Sequence, residues 1–303
     1  MALFSKRLLS IDMGNHSVKI IEAQRKPDFR ILKYGIYPAE LFTKSSRKYR
    51  ILKGLGYRTR DSIISFHHHS LLMRTLSLPI SRDVSAHELI QEIIREYEID
   101  FKEDFDFGYS LISTHIDFGY IRATTAALAK RINRMYIQKA DDLGLRLKSI
   151  AVQVCSVQKI VDKYIKPPYI LIDIGHSNTT IGVIGTVDIM AKVLDKGVIQ
   201  IKNDYKDSKQ FSKELITTCH NLLDAFYHIY PNEAVTQGII YGGGSYFLNA
   251  KKSFCENKDV SINWHEPQEF RHFIENIPED MDLNLFINCL GSILKSDVRE
   301  GEM

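Results

Sequence analysis

Leu8-Leu9-Ser10-Ile11-Asp12-Met13-Gly14 and, about 160 residues further on, Ile170-Leu171-Ile172-Asp173-Ile174-Gly175 share one design. Each is a short apolar run that ends in Asp-x-Gly. Each is followed by small polar residues and then by a second apolar run, Val18–Ala23 in the first case and Thr179–Ile184 in the second. This pattern predicts a buried strand, a tight turn and a returning strand, with Gly14 and Asn15 supplying the first turn. Two copies predict two related lobes.

Working outward, Phe29–Ile36 reads as a third strand and Thr43–Leu55 as a basic helix that stops near Gly54 and Gly56. Ser62–Phe66 and Leu71–Leu78 read as strands, the latter ended by Pro79. Ser85 and Glu88 have capping-box spacing, and Leu89, Ile90, Ile93, Ile94 and Tyr97 form one helical face. Phe105–Ser113 and Tyr120–Ala129 pair around Asp117–Gly119. A helix over Lys130–Leu143 is closed by Gly144, and a strand follows over Leu145–Val152. This run predicts an inserted α+β subdomain at 81–149, with 1–80 and 150–168 forming the first-lobe core and 169–303 the second lobe. In the second lobe, Asp188–Val193 is a strand and Ser208–Tyr230 the longest helix, stopped by Pro231. Gly238–Tyr241 is a strand that runs into Gly242-Gly243-Gly244. A short helix near Tyr246–Lys251, a strand at Val260–Trp264 and a helix at Leu283–Lys295 complete the lobe.

The chain has 303 residues, 44% hydrophobic and 25% charged, and a net charge of +3, a balance that does not point to nucleic acid. No apolar run reaches the roughly 20 residues of a membrane helix, and Asp12 arrives too early for a signal peptide. A cytoplasmic protein that reaches the membrane only through a partner is expected. Cys155, Cys219, Cys255 and Cys289 form no CxxC pair and read as scattered thiols. The run Lys44–Arg60 holds seven basic residues (Lys44, Arg47, Lys48, Arg50, Lys53, Arg58, Arg60) and no net counter-charge until Asp61, while acids dominate Glu88–Asp106. These are solvated faces, or else a surface for acidic headgroups or an acidic partner and one for a basic peptide. His67-His68-His69 is a poor metal site, because neighbouring residues on a strand point to opposite faces.

The chemistry lies in the turns. Gly14 and Gly175 let backbone N–H groups approach a phosphate, and Asn15, His16, Ser17, Ser177, Asn178, Thr179 and Thr180 can add hydrogen bonds. Asp12 and Asp173 carry the oxygen ligands that magnesium prefers. Lys19 is either a positive charge near a β-phosphate or a surface strand residue. Gly242, Gly243 and Gly244 either pack against a base or ribose or make a tight strand-to-helix turn.

Two Asp-x-Gly hairpins with a later triple glycine resemble the actin-like ATPase superfamily, which includes actin, sugar kinases and the bacterial FtsA and PilM families. Asp12–Lys19 resembles its phosphate-1 motif, Asp173–Thr180 its phosphate-2 motif and Gly242–Gly244 its adenosine motif. The segment Ser10–Ala23 is most similar to the opening of the PilM family, with further likeness at Ser62–Pro79 and Ala126–Leu147. The resemblance implies a two-lobed, ribonuclease-H-like α/β fold with an inserted subdomain. It implies ATP and Mg as cofactors and Gln153 and Asp173 as catalytic residues, Gln153 orienting the attacking water. It also implies a cytoplasmic scaffold of a type IV pilus or related competence or secretion machine, bound to the N-terminal cytoplasmic peptide of an inner-membrane PilN-like partner beside Phe105–Ala129. Self-association is open. The chain departs from the superfamily between Asp195 and Gln237, which is short for a second-lobe subdomain. That makes ATP binding weak or lost and the second lobe reduced. The rivals are a slow Mg-dependent ATPase and an FtsA-like division protein. Against the latter, the tail Lys295–Met303 has almost no apolar face.

Overall fold

The computed structural model describes residues 7–25, 28–43, 50–66, 71–79, 105–115, 120–200, 205–248, 254 and 261–294. The predicted helix after Ser81, the triple histidine, the turn at Asp117–Gly119, Cys255 and the tail after Leu294 lie outside these residues.

Two five-stranded sheets repeat one plan. In the first, β1 (Arg7–Met13), β2 (Ser17–Gln24) and β3 (Arg30–Pro38) run antiparallel in sequence. β4 (Asp61–Phe66) and β8 (Arg146–Val152) then add in parallel, in the order β3-β2-β1-β4-β8. The second sheet has β9 (Tyr169–Ile174), β10 (Thr179–Ile184), β11 (Ile189–Leu194), β12 (Gln237–Tyr241) and the short β13 (Asn263–His265), in the corresponding order β11-β10-β9-β12-β13. Every residue of β9 and β10 is buried, as expected of central strands covered on both faces. The predicted duplication is therefore realised strand for strand.

Helices cover these sheets: α1 (Ala39–Thr43), α2 (Ile51–Gly54), α3 (Lys130–Asp142), α4 (Gln153–Val161), α5 (Tyr205–Ile229), α6 (Gly243–Leu248) and α7 (Leu283–Ile293). Of the basic helix expected over Thr43–Leu55, residues 44–49 lie outside the described residues; on either side of them α1 ends at Thr43 and α2 spans Ile51–Gly54. Gly56 (φ 83°) and Gly144 (φ 68°) take the left-handed conformation that ends α2 and α3. Between β11 and β12 the described residues hold one 3₁₀ turn (Val198–Gln200) and α5.

A third sheet, β5-β7-β6, is built from β5 (Leu72–Pro79), β6 (Phe105–His115) and β7 (Tyr120–Ala129). The sequence pattern grouped α3 and β8 with it; α3 does touch it, with Asn133 Nδ2 donating to Asp106 Oδ2 of β6, but β8 belongs to the first sheet. β8 pairs with β4 from Asp61↔Arg146 to Phe66↔Val152, and Ile132, Tyr136 and Ala140 of α3 pack into the first-lobe core with Leu9, Ile11 and Ile64. Strand pairing between segments about 80 residues apart has no local signature, which is why the pattern placed β8 with its sequence neighbours.

The largest apolar cluster is shared by the lobes. It joins Ile21 and Ile31 of the first sheet, Val157 and Ile160 of α4, Leu171 and Ile239 of the second sheet, and Phe286, Leu290 and Ile293 of α7. Asp282 caps α7 by accepting from the Asn284 amide at 3.0 Å. The helix has no charged residue and is buried on all sides. At its crossing with α4, a Cβ placed on Gly291 would lie 2.5 Å from the Ser156 carbonyl carbon and closer still to its oxygen.

Candidate functional site

The two Asp-x-Gly turns close in the same way. Gly14 N–H donates to Ser17 O at 3.1 Å and Gly175 N–H to Asn178 O at 2.9 Å. A Cβ at Gly14 would come within 2.9 Å of the Ser17 carbonyl oxygen, and one at Gly175 within 2.8 Å of that of Asn178, so glycine is needed at both. The turn carbonyls are occupied too. Ala39 N–H donates to His16 O at 3.0 Å, while Val198 and Ile199 N–H donate to Gly175 O and His176 O at 3.2 and 2.8 Å. Thr179 Oγ1 donates to Lys196 O at 2.9 Å, and Thr180 is buried.

Both turns lie at the carboxyl ends of their parallel strands, where open α/β folds place ligands. Here they touch. Asn15 Nδ2 donates to Ser177 Oγ at 2.9 Å, and the His16 and His176 rings stack at 4.3 Å with 20° between planes.

Behind the turns lies a buried charge cluster. Asp12 is 2% exposed and stands opposite Lys19 in the hairpin register, with Nζ 3.1 Å from its Oδ2. Burial alone pulls the Lys19 pKa down, but the attraction of Asp12 first and Asp173 second outweighs it, and the pKa is pushed up to about 12. Lys19 is thus not a surface strand residue, and its ammonium is paired with Asp12. Asp173 accepts from Asn288 Nδ2 at 3.0 Å.

The triple glycine makes a strand-to-helix turn. Gly242 has φ 88° and donates its N–H to Asn284 O at 3.2 Å. Cβ atoms at Gly242 and Gly244 would meet the Ile174 carbonyl oxygen at 2.6 and 2.8 Å. Close approach to the end of β9 accounts for both, and Gly243 is exposed. Gln153 is the first residue of α4, 3% exposed, with Oε1 lacking a hydrogen-bond partner among the described residues.

The sequence reading passed over α7. Asn284, Asn288 and Ser292 recur at i, i+4 and i+8 and are 3%, 4% and 5% exposed. They form one polar stripe on an apolar helix. Asn284 meets Gly242 and Asn288 meets Asp173, while Ser292 Oγ lies 2.6 Å from Ser10 Oγ in β1. That periodicity was the available signal.

The fit to Mg-nucleotide is poor in this arrangement. The carboxylates of Asp12 and Asp173 are engaged by Lys19 and Asn288. Asn15 with Ser177, and His16 with His176, make direct contacts from one turn to the other. Ser65 Oγ, Gln153 Oε1, Asn284 Oδ1 and Asn288 Oδ1 are buried oxygens without partners among the described residues. Among the described cysteines, burial pushes the Cys155 thiol up to about 11 and those of Cys219 and Cys289 to about 12, which disfavours the reactive thiolate.

No family model matches the sequence, and no curated protein does. Solved structures do. A PilM-PilN type IV pilus biogenesis complex superposes with a TM-score of 0.70 at 14% identity, covering 95% of this chain and 97% of that one. The ethanolamine utilization protein EutJ of Carboxydothermus hydrogenoformans gives 0.46 at 11%, covering 96% and 90%. The cytoplasmic domain of EpsL, an inner-membrane component of the type II secretion system of Vibrio cholerae, gives 0.44 at 10%, covering 78% and 82%. Identity this low speaks to fold alone. Together with the duplicated strand order and the paired turns, the first of these matches makes the chain a two-lobed α/β protein of the actin-like fold.

Proposed function

We infer that the protein is a scaffold of a type IV pilus or related secretion machine, which holds the extended cytoplasmic peptide of an inner-membrane, PilN-like partner. The observation that carries this reading is the third sheet. β6, 11 residues long, is an outer strand of the order β5-β7-β6 and pairs only with β7 among the described residues. An edge of that length can accept an added strand. The similar fold of the PilM-PilN complex supports the choice of partner. Titrating the full chain with the N-terminal peptide of the membrane protein encoded beside it should show micromolar binding by calorimetry. Absence of heat at high micromolar concentration would overturn the reading.

The protein acts here as a binder rather than a hydrolase, because its turns are held against each other and Lys19 neutralises Asp12. A nucleotide that bound only the folded state at a hundred times its dissociation constant would add about 2.7 kcal/mol of stability. Millimolar Mg-ATP should therefore leave the melting temperature unchanged. A clear rise would favour the second reading, a slow ATPase using Asp12, Asp173 and Gln153.

A further inference from the structure

The end of the first sheet that points away from the two turns carries a row of arginines. In the hairpin registers Arg7 of β1 stands opposite Gln24 of β2, and Gln24 opposite Arg30 of β3. Arg25 follows Gln24 directly. On the other side β1 and β4 pair Leu9↔Ser62 in parallel, so two steps back Arg7 comes level with Arg60. Asp61 then pairs with Arg146 of β8, whose N–H donates to Arg60 O at 2.7 Å. All five strands thus end in an arginine at, or one residue beyond, the same edge. With strands about 4.8 Å apart, the row spans roughly 19 Å.

These side chains reach solvent, although Arg60 Nε donates to Gly144 O at 2.7 Å. Arg7, Arg30, Arg60 and Arg146 are exposed and Arg25 is half-buried. The acids nearby offset only part of the row, which leaves Arg7, Arg25 and Arg30 without an ion-pair partner among the described residues. Asp61 is engaged by Arg146 at 2.8 Å and Lys148 at 3.8 Å, and Asp28, Asp141 and Asp142 flank it. Arg58 adds to the same end, where Glu22 is occupied by the amides of Arg58 and Thr59 at 3.4 and 3.0 Å.

We propose that this arginine row binds an anionic lipid surface directly, so that the protein meets the membrane through the base of its first lobe and not only through a partner. The row is broad and lies on the rim of a sheet, not in a groove. Among the described residues no pair of exposed aromatic rings on which bases could stack flanks it, which favours a headgroup plane over a single nucleic-acid strand. Guanidinium groups suit bidentate contact with phosphate, and several of them near an anionic leaflet act additively. Leu32, two residues along β3 from Arg30, is 38% exposed and adds apolar surface beside the row.

The test is co-sedimentation of the full chain with vesicles of phosphatidylcholine alone and of phosphatidylcholine mixed with phosphatidylglycerol. The protein should partition onto the mixed vesicles only, and release as ionic strength rises well above about 0.1 M. The triple variant Arg7→Glu, Arg25→Glu, Arg30→Glu should lose about a hundredfold in partition. If it melts below the parent, Arg7→Gln, Arg25→Gln, Arg30→Gln replaces it and should lose tenfold or more. Equal sedimentation with both vesicle types, unchanged partition of the folded variant, or tighter binding to duplex DNA than to mixed vesicles at equal ionic strength would each overturn the proposal. The outcome is independent of the peptide titration, which reads a different surface.

Discussion

Replacing Lys19 with methionine is expected to cost about 3–5 kcal/mol of folding stability, because it leaves the carboxylate of Asp12 buried without its counter-charge. The pair is internal on both sides, with side-chain exposures of 17% and 3%. A hydrophobic substitution at an ordinary surface strand position would change stability by no more than about 0.5 kcal/mol. The measurement is the urea midpoint at constant m-value. The second arm is Lys19→Met with Asp12→Asn, which removes both charges and should recover much of the loss. Equal losses in the single and double variants would show that the carboxylate is not what Lys19 compensates. The pH dependence has a definite sign. A lysine with its pKa raised from 10.5 to about 12 contributes stability that is complete below pH 10.5 and lost as pH climbs through 12. The difference between parent and Lys19→Met should therefore be the same at pH 7 and pH 10.

Gly291→Ala should lower stability by about 1–3 kcal/mol, even though alanine ordinarily improves a helix interior by roughly 1 kcal/mol over glycine. The reversal of sign is the informative part. The added methyl would fall on the backbone of Ser156 in α4, which has no rotamer by which to escape. Helices α4 and α7 would have to move apart, and they form the middle of the core that the lobes share. Thermal unfolding of the full chain reads the effect. A rise in melting temperature would show that the helices do not cross as closely as described.

The strands and turns were legible because they obey local rules. Alternating burial, Asp-x-Gly and the left-handed glycines at 56 and 144 are each written within a few residues. Lys19 was partly legible, because the hairpin register that follows from a turn at Gly14–Ser17 sets it opposite Asp12. Two kinds of feature were not legible. The assignment of β8 and α3 to the first sheet rests on pairing across the insertion, where any parallel strand of similar composition would fit the pattern equally well. The contact between the turns joins His16 to His176 and Asn15 to Ser177, and no spacing rule reports that two segments so far apart will meet. The asparagine stripe of α7 was visible as a period, but its meaning depended on knowing that Asp173 lies beneath Asn288.

That contact has one more property. If the hairpins are aligned on Gly14 and Gly175, Asn15 corresponds to His176 and His16 to Ser177. Asn15 touches Ser177 while His16 touches His176, so each position of one hairpin meets the other position of its counterpart. This is the reciprocal pattern of an isologous dimer interface, here folded into one chain. In a true dimer a substitution at such an interface appears twice and must suit both copies. In a single chain each half changes alone. Lys19 has its counterpart in Thr180, and the charge that neutralises the cluster is supplied by one half only. Fusion of the halves is what permits a cleft with symmetric geometry and asymmetric electrostatics.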